Sequence, residues 1–485
     1  MISIVLLFVL LKRLIHYPQL VGDAWDEETR FRMEVHAKQL EWERIRLEQE
    51  VERLTLKQLQ LMELLQLLAV AVLGFLVLVL WLMGEAANAE NNDRVPPVYQ
   101  GDNDLDDNIG RILMERIQRP VQDLQAGCEW TRNLMDNFAL YFGHVLSNTF
   151  YPGLQGAIGV GSAFEGWSPR EHDVVYQVLI PMTPPRGHSF HLELDSAGQR
   201  HKRNFRIRVQ LECTCTKEKQ AENMLCFLHH SREELRRNQD PSLLDTLCTN
   251  SYLDVKKTAR WFYQLVRVIW PALPQSHNWH LKLLPSRRSC QFQVTNGREI
   301  FTIEMFFGVR RGDSDIFVSS QTREAHTKST TWPETYAVAE MKFFKHIAKQ
   351  APPDSVHFKC LEFFTHLLLA FNFPTCTTKT IVMHLLDEVP MSRWRRRHLL
   401  NRLLDISQNL RLCVLVKRLN HFILGNQRLP QDIHLPPDVQ AAQPYNLFYH
   451  LAEEPDVHNR AMNDYRDAFK GTDKGPTAPV ATSEG

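Results

Sequence analysis

The chain has 485 residues, with 56 acidic and 56 basic side chains, so its formal net charge is zero. This length leaves room for two or three domains, and the balanced charge argues against nucleic acid or another polyanion as a general partner. Aromatic residues make up 10% of the chain and charged residues 23%, which excludes a largely disordered protein.

The cysteines favour a reducing compartment for most of the chain. There are nine, all at or after Cys128, and most are isolated in the sequence. An odd number of scattered cysteines is typical of reduced cytosolic thiols rather than of an extracellular disulfide framework. The chain also lacks any Asn-x-Ser/Thr sequon, which again favours a cytosolic body.

Residues 1–24 form a signal-like apolar segment. The run MISIVLLFVLL is too short to span a bilayer and is followed at once by Lys12 and Arg13. Gly22 and Ala24 supply the small residues that a cleavage site needs, so we interpret the segment as a signal sequence. An uncleaved anchor or an interfacial segment is the alternative.

Residues 25–63 predict a charged helix. The region contains no Gly or Pro, and its apolar residues recur every seven positions, at Met33, Leu40, Leu47, Leu54 and Leu61. The companion positions of this heptad stripe are mixed in polarity, so we expect at most weak self-association through these residues. A single charged helix that leads into the bilayer is the alternative.

Residues 64–83 predict one transmembrane helix. The run is uncharged and twenty residues long, which at about 1.5 Å per residue crosses a hydrocarbon core of about 30 Å. Arg46, Arg53 and Lys57 precede it, and the positive-inside rule alone would then put the C-terminal body outside the cell. The signal-like start, the free-looking cysteines and the missing sequons outweigh this count. We therefore predict a single-pass type I membrane protein with a cytosolic C-terminal body.

The remainder of the chain predicts an α+β body. Residues 84–108 are an acidic linker, and residues 471–485 are a disordered tail. Between them we predict a mixed-sheet domain over residues 109–312 and a helical C-terminal domain over residues 313–470.

Local patterns within the body support this division. Apolar and polar residues alternate through residues 204–215, which indicates a strand with one face in water, and residues 189–195 indicate another strand. Residues 247–270 predict one long amphipathic helix.

The stretch GVGSAFEGWSPREHDVVYQVLIP, from Gly159 to Pro181, combines a Gly-rich turn with paired carboxylates. Gly161 permits a turn whose backbone N–H groups bind phosphate, and Ser162 is a candidate cap for the short helix that follows. Glu171 and Asp173 are two residues apart at the start of an apolar strand. A period of two puts both carboxylates on one face, where they are candidate ligands for Mg²⁺.

This arrangement resembles the nucleotidyltransferase core of the cyclic GMP-AMP synthase and male-abnormal-twenty-one superfamily. There, a Gly-Ser turn precedes an acidic-x-acidic strand, and a later strand supplies a third carboxylate. Gly161, Ser162, Glu171 and Asp173 match the first two parts, and Glu304 in EIFTIEMFFGV is the candidate for the third. Active relatives carry Asp there, and the extra methylene conflicts with two metal ions only about 3.5–4 Å apart. The resemblance therefore implies the fold and leaves catalysis open.

A second set of candidate ligands follows the strand at 204–215. Cys213, Cys215, Cys226 and His229 offer the residue types of a tetrahedral zinc site. Their spacing matches none of the common structural-zinc patterns, so we interpret them chiefly as buried thiols and a helix-borne histidine pair, His229 and His230, with zinc as the alternative.

The chain combines the order of apolar segment, charged helix, single span and transferase-like body with the phrases GVGSAFEGW, VLIPMTPPRG, ECTCTKEK, LCFLHH, TWPETYAVAE, HFILGNQRLP and YNLFYHL. In both respects it resembles the inositol trisphosphate receptor-interacting protein-like family. The resemblance implies a single-pass type I membrane protein whose body has no established transferase reaction. It also implies a role in receptor regulation, either of calcium release or of T-cell receptor signalling.

We predict from these features a membrane-anchored interaction protein with a non-catalytic, nucleotidyltransferase-like body. The rival is an active Mg²⁺-dependent nucleotidyltransferase, in which Lys342, Lys345 and Lys349 on one helix face are candidate triphosphate contacts. A solvated charged face is the commoner meaning of such lysines. A third possibility is a ligand presented to other cells by residues 25–63.

Overall fold

The computed structural model describes residues 124–169, 174–195, 203–215, 224–321, 327–369 and 373–469. The predicted signal-like segment, heptad helix, span, linker and C-terminal tail lie outside these ranges. Within the ranges, no helix is both long enough and apolar enough to cross a membrane.

The strands of the described residues form one curled, mixed sheet of twelve strands. The strands are β1 (Gly153–Leu154), β2 (Ile158–Val160), β3 (Val175–Thr183), β4 (His188–Leu194), β5 (Asn204–Leu211), β6 (Cys248–Thr249), β7 (Tyr252–Leu253), β8 (His280–Leu284), β9 (Cys290–Thr295), β10 (Ile300–Arg310), β11 (Phe317–Ser319) and β12 (Trp332–Thr335).

The pairing of β3 with β10 is parallel, and every other pairing in this sheet is antiparallel. Thr302 lies opposite Val175, and Glu304 lies opposite Gln177. On its other edge, β10 pairs first with β9 and then, at its end, with β11. The sheet therefore branches in two directions from one long strand.

The helices cover the sheet and then form the C-terminal half. They are α1 (Leu124–Leu146), α2 (Gly161–Glu165), α3 (Arg232–Asn238), α4 (Leu243–Thr246), α5 (Val255–Ile269), α6 (Ala337–Gln350), α7 (His357–Leu369), α8 (Thr375–Glu388), α9 (Leu399–Leu415), α10 (Pro437–Gln440), α11 (Tyr449–Glu453) and α12 (Pro455–Phe469).

Two hydrophobic clusters hold the described chain together. The first lies between the sheet and helices α1 and α5, where the rings of Phe262 and Phe307 stack with centroids 4.7 Å apart. The second lies among the C-terminal helices around the fully buried Trp394. Helix α6 contributes Met341 to the first cluster and Phe344 to the second. The predicted α+β class with a helical C-terminal half is confirmed, and the boundary at residue 312 stays a prediction.

The long helix predicted for residues 247–270 is wrong over its first third. Helix α5 begins at Val255, and strands β6 and β7 form a small hairpin before it. Asn250 and Ser251 make the turn with positive φ angles of 49° and 63°, a conformation that ends any helical continuation.

Asp254 caps α5 and joins it to the neighbouring loops. Its carboxylate accepts the backbone N–H groups of Lys256 and Lys257 at 2.9 and 3.2 Å, and the hydroxyls of Thr249 and Ser329 at 3.0 and 2.7 Å. Burial acts to raise the pKa of Asp254, but these hydrogen bonds outweigh it and hold the pKa below its ordinary value. The folded protein therefore stabilises the ionised form of Asp254.

We expect Asp254→Ala to lower the free energy of unfolding by about 2 kcal/mol, because it removes a helix cap. Urea unfolding monitored by tryptophan fluorescence measures the change. Asp136→Ala is the matched control, since Asp136 is exposed on α1. Equal stabilities of the two variants would contradict the capping role.

Candidate functional site

A cleft of about 690 Å³ opens between the sheet and helices α6 and α8. Gly161 and Ser162 line it from the start of α2, Gln177 from β3 and Glu304 from β10. The structure thus brings the predicted phosphate-binding turn and the predicted third carboxylate into one cleft. Other lining residues are Val175, Arg203, Gln321, Glu334, Tyr336, Glu340, Lys379 and Tyr445.

Strand geometry explains why Glu304 faces the cleft. Val175 and Gln177 line the cleft, whereas the alternate residue Tyr176 is fully buried in the first hydrophobic cluster. Glu304 lies directly opposite Gln177 in the parallel register and shares its face. Glu171 and Asp173 lie outside the described residues, so their convergence with Glu304 stays a prediction.

Steric crowding explains why residue 161 is a glycine. Gly161 has a φ of +77°, and a Cβ atom there would lie 2.4 Å from Gln177 Oε1. Ser162 does not cap α2 as predicted, because the helix already begins at Gly161 and Val160 occupies the N-cap position without a side-chain bond.

The carboxylate of Glu304 is held by neutral hydrogen-bond donors. Oε1 accepts from Ser289 Oγ at 3.0 Å, and Oε2 accepts from Gln177 Nε2 at 2.9 Å and from Gln321 Nε2 at 3.3 Å. These donors fix the orientation of the carboxylate. A cation that bound Glu304 would have to displace or share these contacts.

The lysine on α8 is clamped between two carboxylates. Lys379 Nζ lies 2.5 Å from Glu165 Oε1 and 2.6 Å from Glu340 Oε2. Glu165 is buried at the end of α2, and its other oxygen accepts the indole N–H of Trp167 at 2.8 Å. Burial acts to lower the pKa of Lys379, but the two glutamates outweigh burial and raise it. Lys379 is therefore a permanent cation.

A second charged cluster reaches the cleft through Arg203, Glu334 and Tyr336. Glu334 has a side chain only 1% exposed and accepts from Arg311 at 2.6 Å, with Arg203 at 3.3 Å and the hydroxyl of Tyr336 beside it. Both arginines also pair with Asp438 on α10. The charged residues of this cluster are thus paired with one another.

The sequence analysis missed the Lys379 clamp and named other lysines as candidate triphosphate contacts. Lys342, Lys345 and Lys349 do not line the cleft, and Lys342 instead pairs with Asp315 at 2.7 Å. The available signal was Glu165, an acidic residue set between Phe164 and Gly166 in an apolar stretch, since a buried carboxylate requires a partner.

The four predicted zinc ligands come together away from the cleft. The ligand atoms of Cys213, Cys215, Cys226 and His229 all lie within 4.8 Å of one another. The interpretation as buried thiols and a helix-borne histidine pair is wrong in part, because Cys213 is exposed and His229 lies in a turn.

His421 lies behind the cleft and is neutral. Its ring is 4.4 Å from that of Tyr336 and 4.8 Å from that of Tyr445, and its Nδ1 accepts the backbone N–H of Leu424 at 3.2 Å. Burial lowers the pKa of His421 to about 4.

We expect Lys379→Met to lower the free energy of unfolding by about 3–5 kcal/mol, because it leaves Glu165 buried without its cation. Urea unfolding measures this change. Lys349→Met is the control, since Lys349 is exposed on α6, and it should stay within about 0.5 kcal/mol of wild type. Similar midpoints for both variants would count against the clamp.

The depressed pKa of His421 predicts a pH effect. Between pH 6.5 and about 4, the unfolded chain binds a proton at His421 that the folded chain does not, so acid weakens folding. Relative to His421→Asn, which keeps an acceptor for Leu424, wild type should lose up to about 3 kcal/mol across this window. Thermal unfolding at pH 7 and pH 4.5 compares the two, and parallel pH profiles would refute the effect.

Comparison with known proteins places the chain in a family. No protein-family model matches it. It is 31% identical over 384 residues to inositol 1,4,5-trisphosphate receptor-interacting protein-like 1 of Rattus norvegicus, an alignment that covers 75% of this chain and 69% of the relative. It is also 25% identical over 508 residues to inositol 1,4,5-trisphosphate receptor-interacting protein of Homo sapiens, covering 95% of this chain and 91% of the relative. The chain therefore belongs to the inositol 1,4,5-trisphosphate receptor-interacting protein-like family, as its sequence motifs predict.

Proposed function

We propose that this protein is a single-pass membrane protein that regulates a receptor by binding it, and that its cytosolic body is a non-catalytic nucleotidyltransferase-like domain. The observation that carries the proposal is the family relationship, because the relatives are named for interaction with the inositol 1,4,5-trisphosphate receptor. T-cell receptor signalling is the second receptor system that the sequence resemblance implies.

The contacts in the cleft argue against catalysis. Both oxygens of Glu304 are engaged by neutral donors, and Lys379 is engaged by two carboxylates. Transfer of a nucleotidyl group requires carboxylates that are available to metal ions and a cation that is available to the triphosphate. In this cleft, the described candidates for both tasks already have protein partners.

The cysteines support a cytosolic body. All nine lie within the described ranges and none of them is disulfide-bonded there. Cys128, Cys248, Cys290 and Cys360 are buried, and burial raises the pKa of each thiol. Unreactive buried thiols suit a reducing compartment.

The rival function, an active nucleotidyltransferase, would require specific residues in the cleft. An active transferase would use Gly161 and Ser162 to seat a triphosphate, with Glu171, Asp173 and Glu304 as ligands for Mg²⁺. The shared cleft position of Gly161, Ser162 and Glu304 is the observation that favours this rival.

Two assays on the purified full-length chain separate these functions. With labelled nucleoside triphosphates and Mg²⁺, we expect no conversion by wild type, because the cleft groups are already paired. Conversion by wild type that is abolished in Asp173→Ala and Glu304→Gln would overturn the non-catalytic proposal.

In the second assay, the full-length chain is used to capture detergent-solubilised receptors. We expect capture of inositol 1,4,5-trisphosphate receptor, with Glu304→Gln retaining wild-type capture because binding does not depend on metal ligands. T-cell receptor complexes serve as the parallel sample. If the chain captured neither the inositol 1,4,5-trisphosphate receptor nor the T-cell receptor complex, the receptor-binding role would be contradicted. This result would not bear on catalysis.

A further inference from the structure

The strongest unassigned feature of the described residues is the cluster of thiols and imidazole beyond the end of β5. We propose that Cys213, Cys215, Cys226 and His229 form a structural zinc site. The lining of the 690 Å³ cleft includes none of the four, so this inference is independent of the receptor-binding proposal.

The separations of the ligand atoms suit one tetrahedral ion. Zn–S bonds of about 2.3 Å and Zn–N bonds of about 2.0 Å place neighbouring ligand atoms about 3.5–3.8 Å apart. All four atoms lie within 4.8 Å of one another, and His229 Nδ1 lies 3.7 Å from Cys213 Sγ and 2.8 Å from Cys215 Sγ. Shifts of about 1 Å or less, reachable by side-chain rotation, would complete the tetrahedron.

The first pair of ligands is positioned by the sheet. Cys213 and Cys215 follow directly after the end of β5, Cys213 in an irregular segment and Cys215 in a 3-10 turn. The backbone N–H of Glu212 donates to Gly187 O at 2.9 Å, in the turn between β3 and β4, and so fixes where this segment starts. The two thiols therefore lie close to a fixed point at the end of the sheet.

The second pair of ligands is positioned by a tight turn. The backbone N–H groups of His229 and His230 both donate to Cys226 O at 3.2 Å, which brings the side chains of Cys226 and His229 together. Phe227, between them in sequence, packs against Phe150 and His188 with ring centroids 4.7 and 5.2 Å away. Both halves of the site are thus held by contacts that need no metal.

The donor set identifies the kind of ion. Three thiolates and one imidazole in a tetrahedron favour Zn²⁺ over Mg²⁺ or Ca²⁺, which prefer oxygen ligands. Four protein ligands leave no open position, so the ion would be structural. A disulfide would use only two of the cysteines and would give His229 no role.

The site would join two separate structural elements of the chain. Cys213 and Cys215 extend from the sheet, whereas Cys226 and His229 directly precede α3. A bound ion would cross-link the end of β5 to the start of α3. Since a metal that binds only the folded state stabilises it, zinc should raise the melting temperature.

The test is zinc content in the full-length chain purified under reducing conditions from zinc-supplemented cells. We expect about one zinc per chain in wild type, and less than about 0.1 in Cys215→Ser/Cys226→Ser, because a tetrahedral site does not survive the loss of two ligands. Cys413→Ser is the matched control, since Cys413 is a half-buried thiol on α9, and it should keep its zinc. Retention of zinc by the double variant would overturn the assignment.

A second measurement uses wild type alone, so it tests the zinc site even if the double variant does not fold. After removal of zinc with a chelator, addition of Co²⁺ should produce the intense visible absorption of tetrahedral thiolate coordination, and addition of Zn²⁺ should abolish it. A wild-type chain that carries less than about 0.1 zinc and gives no such spectrum would overturn the proposal, as would a disulfide between Cys213 and Cys226 in the freshly purified protein.

Discussion

The ion pair between Glu165 and Lys379 joins the Gly-Ser turn to the helical half of the body. Glu165 has a fully buried side chain, and a buried carboxylate without a partner costs several kcal/mol. The position of helix α2 therefore depends on the cation Lys379 from α8, which also pairs with Glu340 of α6. This requirement links the cleft to the packing of helices that are far away in sequence.

The residues that follow α2 also contact the helical half of the body. Trp167 directly follows the turn after α2, yet it is buried in the helical cluster rather than in the sheet cluster. A Cβ atom on Gly166 would lie 3.2 Å from the Phe358 ring of α7, so α7 packs close against this turn. The backbone N–H of Ser168 donates to Glu362 on α7 at 3.2 Å. The motif stretch thus lines the cleft and also connects the two hydrophobic cores.

Interactions within the protein also determine which charged groups of the cleft are available to a ligand. Lys379 is neutralised by carboxylates from within the protein, and Glu304 is oriented by amide and hydroxyl donors. In a low-dielectric cleft, groups that are already paired interact weakly with an incoming ligand unless the pairs separate. The described charges of the cleft thus stabilise the fold, which is consistent with the proposed regulatory role.

Much of the sheet could be predicted from the sequence, because strand alternation is a local property. Residues 204–215 show it, and β5 covers the first eight of them, Asn204–Leu211. The superfamily resemblance named Glu304 as a candidate, and Glu304 lines the cleft together with Gly161 and Ser162. The Lys379 clamp could not be predicted, since its partner Glu165 lies 214 residues away and no local pattern encodes their contact. The sequence did supply the four members of the thiol cluster as candidate zinc ligands, but their unusual spacing could not show that the ligand atoms converge.

A double-mutant cycle on Glu165 and Lys379 tests the central claim most directly. Glu165→Gln keeps an acceptor for the Trp167 indole, and Lys379→Met keeps the length of the side chain. The free energy of unfolding is measured for wild type, both single variants and the double variant. We expect the double variant to be more stable than the sum of the single effects predicts, with a coupling of about 2–3 kcal/mol. Effects that add to within about 0.5 kcal/mol would contradict the account, because the two residues would then stabilise the protein independently.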